Sequence, residues 1–161
     1  MFPLAAFDTI NLTEANQLLQ VWQHPMGPER GNSAALHCHA LLVHGKPVGL
    51  ACTSSLIRER VGGGLSHLTR ANAIELSRLC ASDRWACRVV LRLWRELVFP
   101  GLGVAAAISY QDADLHTGNT YRFDGWRRAG YSRSGMDSRT GRAGRNKYIW
   151  VCPPTAAEVA A

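Results

Sequence analysis

The segment VAAAISY, residues 104–110, restricts the fold more than any other stretch of the chain. It is a short apolar run of small residues, which is typical of a strand buried on both faces. The preceding segment, residues 85–99, has apolar side chains at helical spacing and arginines on its other side. A strand buried on both faces needs a layer packed on each side of its sheet. We therefore expect an α/β (α+β) fold.

Periodicity and turn residues predict the element order β-α-β-β-β-α-β-α-β-β. The first helix is predicted to begin with Thr13 as its capping residue, and a hairpin is predicted around the turn HGKP, residues 44–47. A third helix is expected through His116 to Phe123, with Gly125 just after its end. Further strands are predicted at residues 3–8, 72–82, 130–134 and 146–152. The order predicts one domain, residues 1–161, with a mixed, mostly antiparallel central sheet and helices on both faces.

Several classes of protein are disfavoured by composition. No apolar run reaches the length of a membrane span, and the N-terminus does not resemble a secretory signal, so we expect a cytoplasmic protein with no membrane partner. The five cysteines are odd in number, widely spaced and without a CxxC pair, which argues against a disulfide framework or a Cys-rich zinc site. His37 and His39 share one face of a predicted strand, but no third ligand is placed by the sequence, so no metal site is expected.

Positive charge is concentrated near the C-terminal end of the chain. The net charge is +6, and the segment from Arg127 to Lys147 holds seven arginines and lysines against one acid, Asp137. Within it, residues 133–147 are predicted to form a basic loop. Such local excess attracts polyanions, so DNA is an expected partner, although a solvated basic loop is the alternative. The expected nucleic-acid contacts are Arg127, Arg128, Arg133, Arg142 and Arg145.

The segment from Tyr121 to Trp126, YRFDGW, resembles the helix-to-strand signature of the GNAT (GCN5-related N-acyltransferase) family, in which a tyrosine precedes a Gly-aromatic pair by four residues. The predicted element order also resembles the GNAT fold. This resemblance implies an acyl-CoA donor. It also implies that Tyr121 is the general acid that protonates the departing thiolate of coenzyme A.

Three spaced motifs resemble a narrower group, the Mom family of phage and mobile-element proteins. They are ELSRL at residues 75–79, SYQD at 109–112 and LHTGNTYRFDGW at 115–126. Two positions depart from the Mom pattern, with Gln111 in place of alanine and Leu115 in place of glycine. The Mom resemblance implies a GNAT-like enzyme that adds a carbamoylmethyl-type group to the exocyclic amine of adenine in DNA.

The segment Arg84-Trp-Ala-Cys-Arg-Val89 departs from the wider GNAT pattern because it lacks the glycines that let backbone N–H groups approach a pyrophosphate. A helix N-terminus and arginine side chains remain available to hold a phosphate. The donor is therefore left open between acyl-CoA, another small-molecule acyl donor and a charged tRNA. The residues expected to bind it are Leu79, Arg84, Cys87 and Arg88.

Four residues are candidates for the chemistry. An ordinary phenol is protonated at neutral pH, so Tyr121 can donate a proton, and the alternative is a tyrosine packed under the sheet. An imidazole suits proton abstraction from an amine, so His116 is a candidate base, with helix capping as its alternative. Asp112 would orient His116, accept from an amino group or cap a helix. Arg78, in a central strand, needs a partner such as Asp112 or a ligand phosphate. Further substrate contacts are expected from His24, Ser109, Thr117 and Asn119.

The leading hypothesis is a Mom-like transferase that acts on the N6 amine of adenine. One alternative is a GNAT N-acyltransferase that uses acyl-CoA on a small amine or a protein. The other is a nucleic-acid-binding module without catalysis. The oligomeric state is left open, with a homodimer as one alternative.

Overall fold

The computed structural model describes residues 4–30, 36–133, 135 and 143–153. Their contacts group them into two compact units. The first unit comprises Met1–Ser55 and Glu75–Gly103, and the second comprises Leu56–Ile74 and Val104–Ala161. The assignment of the whole chain to one domain stays a prediction.

Antiparallel pairing organises the strands of the first unit. β1 (Ala5–Ile10) pairs with β2 (His37–Val43), β2 with β3 (Lys46–Ser54), and β3 with β4 (Ala73–Ala81). The predicted hairpin is therefore confirmed. Its turn contains His44 and Gly45, both at positive φ, which suits the right-handed twist of the flanking strands.

The first helix, α1 (Leu12–Val21), is capped by Asn11 and not by Thr13 as predicted. The Asn11 side chain accepts from the backbone N–H of Glu14 at 2.9 Å, and the Glu14 carboxylate accepts from the backbone N–H of Asn11 at 3.3 Å. This reciprocal pair satisfies two N–H groups that would otherwise lack partners, which explains why the helix begins one residue before Thr13.

The second helix is shorter than its sequence pattern predicts. α2 (Arg84–Leu93) passes into a π-helical turn at Trp94–Val98 and then a 3₁₀ turn at Phe99–Leu102. The widened turn accompanies the complete burial of Trp94, whose indole N–H donates to the Thr53 hydroxyl at 2.8 Å. Regular helical periodicity does not reveal such a turn, so an uninterrupted helix to Phe99 is wrong.

The two helices of the first unit pack on opposite faces of β3. Leu50 and Cys52 share a core cluster with Leu19 of α1. A Cβ atom at Gly49 would lie 2.5 Å from a methyl group of Val90 on α2. Because successive strand residues point to opposite faces, the absence of a side chain at Gly49 lets α2 approach the face that α1 does not cover.

Among the described residues, the second unit contains strands β5, β6 and β7 and the short helix α3. β5 (Ala106–Asp112) pairs with β7 (Lys147–Cys152), and β7 also pairs with β6 (Arg127–Ser132), both antiparallel. α3 (Asn119–Phe123) lies between β5 and β6 in the chain. The core of this unit contains Leu56, Val61, Leu65, Leu68, Ala73, Ala106, Ile108, Ile149 and Val151.

Gly118 shortens α3 relative to the prediction. It adopts a left-handed conformation, φ +76°, immediately before the helix, so the expected helical turn from His116 does not form. Thr117, which falls inside the predicted helix, therefore lies outside the observed one. Gly125, at φ +84°, follows the helix end as expected.

The observed element order is the predicted one, and every strand pairing described above is antiparallel. The α+β class and the mostly antiparallel sheet are thus confirmed. Among the described residues, no helix has the length and apolarity needed to cross a bilayer.

Candidate functional site

Tyr121 sits on α3 beside two tryptophans. Its ring stacks on Trp150 at 5.5 Å between centroids and meets the edge of Trp126 at 5.5 Å. Its hydroxyl hydrogen-bonds with the Ser109 hydroxyl on β5 at 2.8 Å, and both residues are buried. Tyr121 and Ser109, which were predicted separately as site residues, are therefore in direct contact. The two tryptophan rings and the Ser109 hydroxyl fix the orientation of the phenol.

Gln111 links β5 to the turn before α3. Its carbonyl oxygen accepts from the indole N–H of Trp150 at 2.7 Å, and its amide donates to the backbone carbonyl of His116. Gly118 lies against the same two side chains. Neither Gln111 nor Trp150 was identified as a site residue. The only sequence signal was that Gln111 replaces the alanine of the Mom pattern.

Asp112 organises the turn that follows β5. One carboxylate oxygen accepts from the N–H groups of Asp114 and Leu115 at 3.0 and 3.1 Å, and the other pairs with Arg145 at 3.2 Å. Burial raises the pKa of Asp112, but these hydrogen bonds and the Arg145 charge outweigh it, so the pKa lies below its ordinary value. Asp112 therefore remains an anion at neutral pH, and its oxygens bind the turn.

The imidazole of His116 is exposed. Within the described part of the chain it makes no hydrogen bond with Asp112 or Tyr121, and the contacts of His116 run through its backbone, which donates to the Asp112 carbonyl at 3.3 Å. Thr117 accepts from the backbone N–H of Asn119 at 3.4 Å. The predicted orientation of His116 by the Asp112 carboxylate is therefore not seen.

Arg78 has a partner that the sequence did not indicate. It pairs with Glu29 at 3.5 Å, and both side chains are 11% exposed. Its guanidinium also donates to the Gly27 carbonyl at 3.0 Å, while the Ser77 hydroxyl bonds to the Glu29 carboxylate. The segment around Glu29 is held from α1 as well, because the Asn16 side chain bonds to both the N–H and the carbonyl of Glu29. Arg78 thus fixes this loop, with Glu29 as the ion-pair partner in place of the expected Asp112 or ligand phosphate.

A cavity of about 660 Å³ lies between α1 and this loop. Its wall includes His24, whose Nδ1 accepts from the backbone N–H of Met26 at 3.2 Å. None of the other lining residues is charged: Thr13, Asn16, Gln17, Leu19, Gln20, Gln23, Gly27 and Pro28.

The beginning of α2 carries the predicted donor-binding residues. Asp83 occupies the capping position but makes no side-chain cap hydrogen bond, while Arg84 and Arg88 are exposed. Burial raises the pKa of the Cys87 thiol to about 11, so it stays neutral near pH 7. Leu79 is half-buried on β4 opposite Ala51.

The arginines predicted to contact nucleic acid differ in exposure and in ion pairing. Arg128 and Arg133 are exposed, Arg127 is half-buried, and Arg145 pairs with Asp112. Arg142 lies outside the described residues.

All five cysteines are free thiols. No group of three metal-ligating side chains occurs among the residues that the structure describes.

By sequence, the chain matches no known protein-family profile and no curated protein. By structure, it is similar to solved acetyltransferases. The ribosomal-protein-S18-alanine N-acetyltransferase from Escherichia coli is 16% identical, with a TM-score of 0.61 over 91% of this chain and 92% of that one. A probable GNAT acetyltransferase from Chromobacterium violaceum is 14% identical, with a TM-score of 0.65 over 100% and 92%. An acetyl-CoA-bound GNAT acetyltransferase from Elizabethkingia anophelis is 7% identical, with a TM-score of 0.53 over 92% and 97%.

Each similarity spans almost the whole length of both chains. The sequence identities are low, so the similarity establishes the fold and no further property. They agree with the observed element order and the antiparallel pairing. The chain therefore has the fold of the GNAT acetyltransferases.

Proposed function

We propose that the protein is a GNAT-type N-acyltransferase that moves an acyl group from acyl-CoA to a primary amine. The observation that carries the proposal is the buried hydrogen bond between Tyr121 and Ser109, at 2.8 Å, in a chain with the fold of acetyltransferases. An acyl transfer of this kind needs an acid for the departing thiolate, and a phenol that is fixed by a hydroxyl partner suits that role. Ser109 positions the phenol.

In the proposed reaction, the amine nitrogen attacks the thioester carbonyl, the C–S bond breaks, and the thiolate takes the phenolic proton of Tyr121. The surplus proton on the amine needs a base. Asp112 is poorly suited because its oxygens already accept from two backbone N–H groups and Arg145. We therefore assign the base to the exposed imidazole of His116, directly or through water.

The pyrophosphate of the donor would lie at the beginning of α2. The Asp83 side chain leaves the first backbone N–H groups of this helix uncapped, and Arg84 and Arg88 are exposed beside them. Such a site attracts a phosphate through its N–H groups, the helix dipole and the guanidinium charges. Cys87 fits this environment because a protonated thiol does not repel an anion.

Free thiols, most of them buried, also suit a reducing compartment such as the cytoplasm.

Replacement of Tyr121 tests the proposal. Tyr121→Phe keeps the aromatic packing but removes the proton donor, so we expect kcat for transfer from acetyl-CoA to fall by roughly 10²-fold or more. Turnover is measured by release of the CoA thiol with a panel of small amines and peptides. Tyr131→Phe is the matched control, because it removes the same hydroxyl from an exposed ring and should leave the rate unchanged. Equal rates in the Tyr121 variant and the natural protein would contradict the role of Tyr121.

A second candidate is Mom-like modification of adenine in DNA. Its support is the sequence resemblance, together with contact between two of the resembling segments. Ser109 bonds to Tyr121, and Gln111 bonds to the His116 carbonyl, so the segments SYQD and LHTGNTY form one local arrangement. In this candidate the acceptor is the N6 amine, which must be extruded from a duplex or presented on a single strand.

Mass spectrometry of nucleosides separates the two candidates. If adenine is the acceptor, DNA from cells that express the protein will contain a deoxyadenosine species of increased mass, and this species will be absent when Tyr121→Phe is expressed. An unshifted deoxyadenosine profile, with normal amounts of folded protein, would eliminate DNA adenine and leave a small amine or a protein as the acceptor.

A further inference from the structure

An arginine and two tyrosines form a cluster on the hairpin of β6 and β7. The guanidinium carbon of Arg128 lies 4.4 Å from the centre of the Tyr148 ring, and the rings of Tyr148 and Tyr131 are 5.3 Å apart. Tyr131 is paired directly opposite Tyr148 in the ladder, so their side chains leave the same face of the hairpin. Tyr131 remains 40% exposed and Arg128 is exposed.

Two exposed arginines accompany this aromatic surface. Besides Arg128, Arg133 is exposed one residue beyond β6, two positions after Tyr131. Lys147 faces the other side of the sheet, where its ammonium lies 5.8 Å from the centre of the Tyr110 ring, and Arg145 pairs with Asp112. The hairpin therefore combines an accessible aromatic ring with two exposed arginines, which is the combination that binds a flexible polyanion with flat bases.

We propose that the β6–β7 hairpin binds single-stranded nucleic acid, with a base stacked on Tyr131 and the adjoining phosphates on Arg128 and Arg133. Single strands fit better than a duplex, because the bases of a duplex already stack on one another and leave no free face for a tyrosine. Sequence-independent binding is expected, since ring stacking and phosphate contacts are tolerant of base identity. The proposal does not depend on the acyl transfer proposed above.

The alternative occupant is an acidic peptide. It would satisfy the arginines but would gain nothing from a flat tyrosine face. The contribution of the Tyr131 ring, measured apart from the charges, therefore distinguishes the two.

Fluorescence anisotropy with a labelled oligothymidylate provides the test, in a salt series that starts near 50 mM. We expect Tyr131→Ala to weaken binding by about fivefold or more, because stacking on one base contributes about 1–3 kcal/mol. Tyr131→Phe keeps the ring and should bind like the natural protein, so a loss seen only in Tyr131→Ala is assigned to the ring and not to the hydroxyl. Arg128→Ala should reduce the slope of log affinity against log salt by about 0.7, the loss of one phosphate contact on a single strand. Arg92→Ala removes an exposed arginine of α2 and is the charge-matched control.

Two results would overturn the proposal. The first is the absence of oligothymidylate binding at low salt. The second is equal binding by Tyr131→Ala and the natural protein, together with equally tight binding of a polyglutamate peptide, which would identify a purely electrostatic contact. Acyl transfer to a small amine is measured in parallel. Because Tyr131→Ala is expected to leave that activity unchanged, failure of this proposal and failure of the transferase proposal are distinguishable.

Discussion

The hydroxyl of Tyr121 and the guanidinium of Arg78 are each held by a residue distant in the chain. Ser109 lies 12 positions from Tyr121. Glu29 and the carbonyl of Gly27 lie well before Arg78 in the sequence. The sequence indicated that Arg78 needed a partner, because a buried polar group is costly unless it is hydrogen-bonded. It did not indicate which partners, since that choice depends on how the chain returns to the same place.

His39 allows a residue-scale prediction about pH. Burial lowers the pKa of His39, with a further contribution from the nearby His37 charge, and its ring stacks on Phe7 at 5.5 Å. Within the described residues its Nδ1 has no hydrogen-bond partner. The unfolded chain therefore takes up a proton near the ordinary pKa, about 6.5, before the folded chain does. The free energy of unfolding must then fall as the pH drops below that value.

We expect His39→Phe to reduce this loss of stability, because the variant has no imidazole to protonate and keeps the stacked ring. The measurement is urea unfolding of both proteins at about pH 7.5, 6.5 and 5.5. Identical changes in the free energy of unfolding across this range would show that His39 does not contribute to the acid sensitivity.

At the scale of elements, α3 depends on the backbone conformation of the residue before it. Gly118 has φ +76°, and a Cβ atom there would come within 2.5 Å of both the Gln111 oxygen and the Trp150 ring. Gly118 is therefore required both by its left-handed conformation and by the close approach of two side chains. The sequence showed a glycine inside a predicted helix but not that the helix begins only after it.

Two glycine substitutions separate these requirements. Gly118→Ala should lower the free energy of unfolding by roughly 2–5 kcal/mol, from left-handed strain together with the steric clash. Gly125→Ala is the matched control, since Gly125 has φ +84° but no atom within 4 Å of an added Cβ. It should cost only about 1–2 kcal/mol, the strain alone. Chemical denaturation gives both values, and equal losses would mean that the space beside Gly118 is not restricted.

For the whole molecule, the similar solved structures share 7–16% of its residues yet have TM-scores of 0.53–0.65. A fold can persist at such identities because it depends on the order of helices and strands and on which positions are apolar. A catalytic function depends on a few side chains and on their exact partners, so it does not follow from the same similarity. Tyr121 lies on α3, an element of this fold, and it is also the residue that we propose as the proton donor.

Four features could be predicted from the sequence alone: the element order, the buried character of β5, the hairpin of β2 and β3, and the position of Gly125 after α3. These features are local, because each depends on periodicity or turn residues within about ten positions. Three other features became visible only in the folded chain. Arg78 pairs with Glu29, Tyr121 contacts both Trp126 and Trp150, and the Asp112 oxygens accept from a turn and from Arg145. Those outcomes depend on which distant segments come into contact, and contacts between distant segments are set by packing and are not set by local propensity.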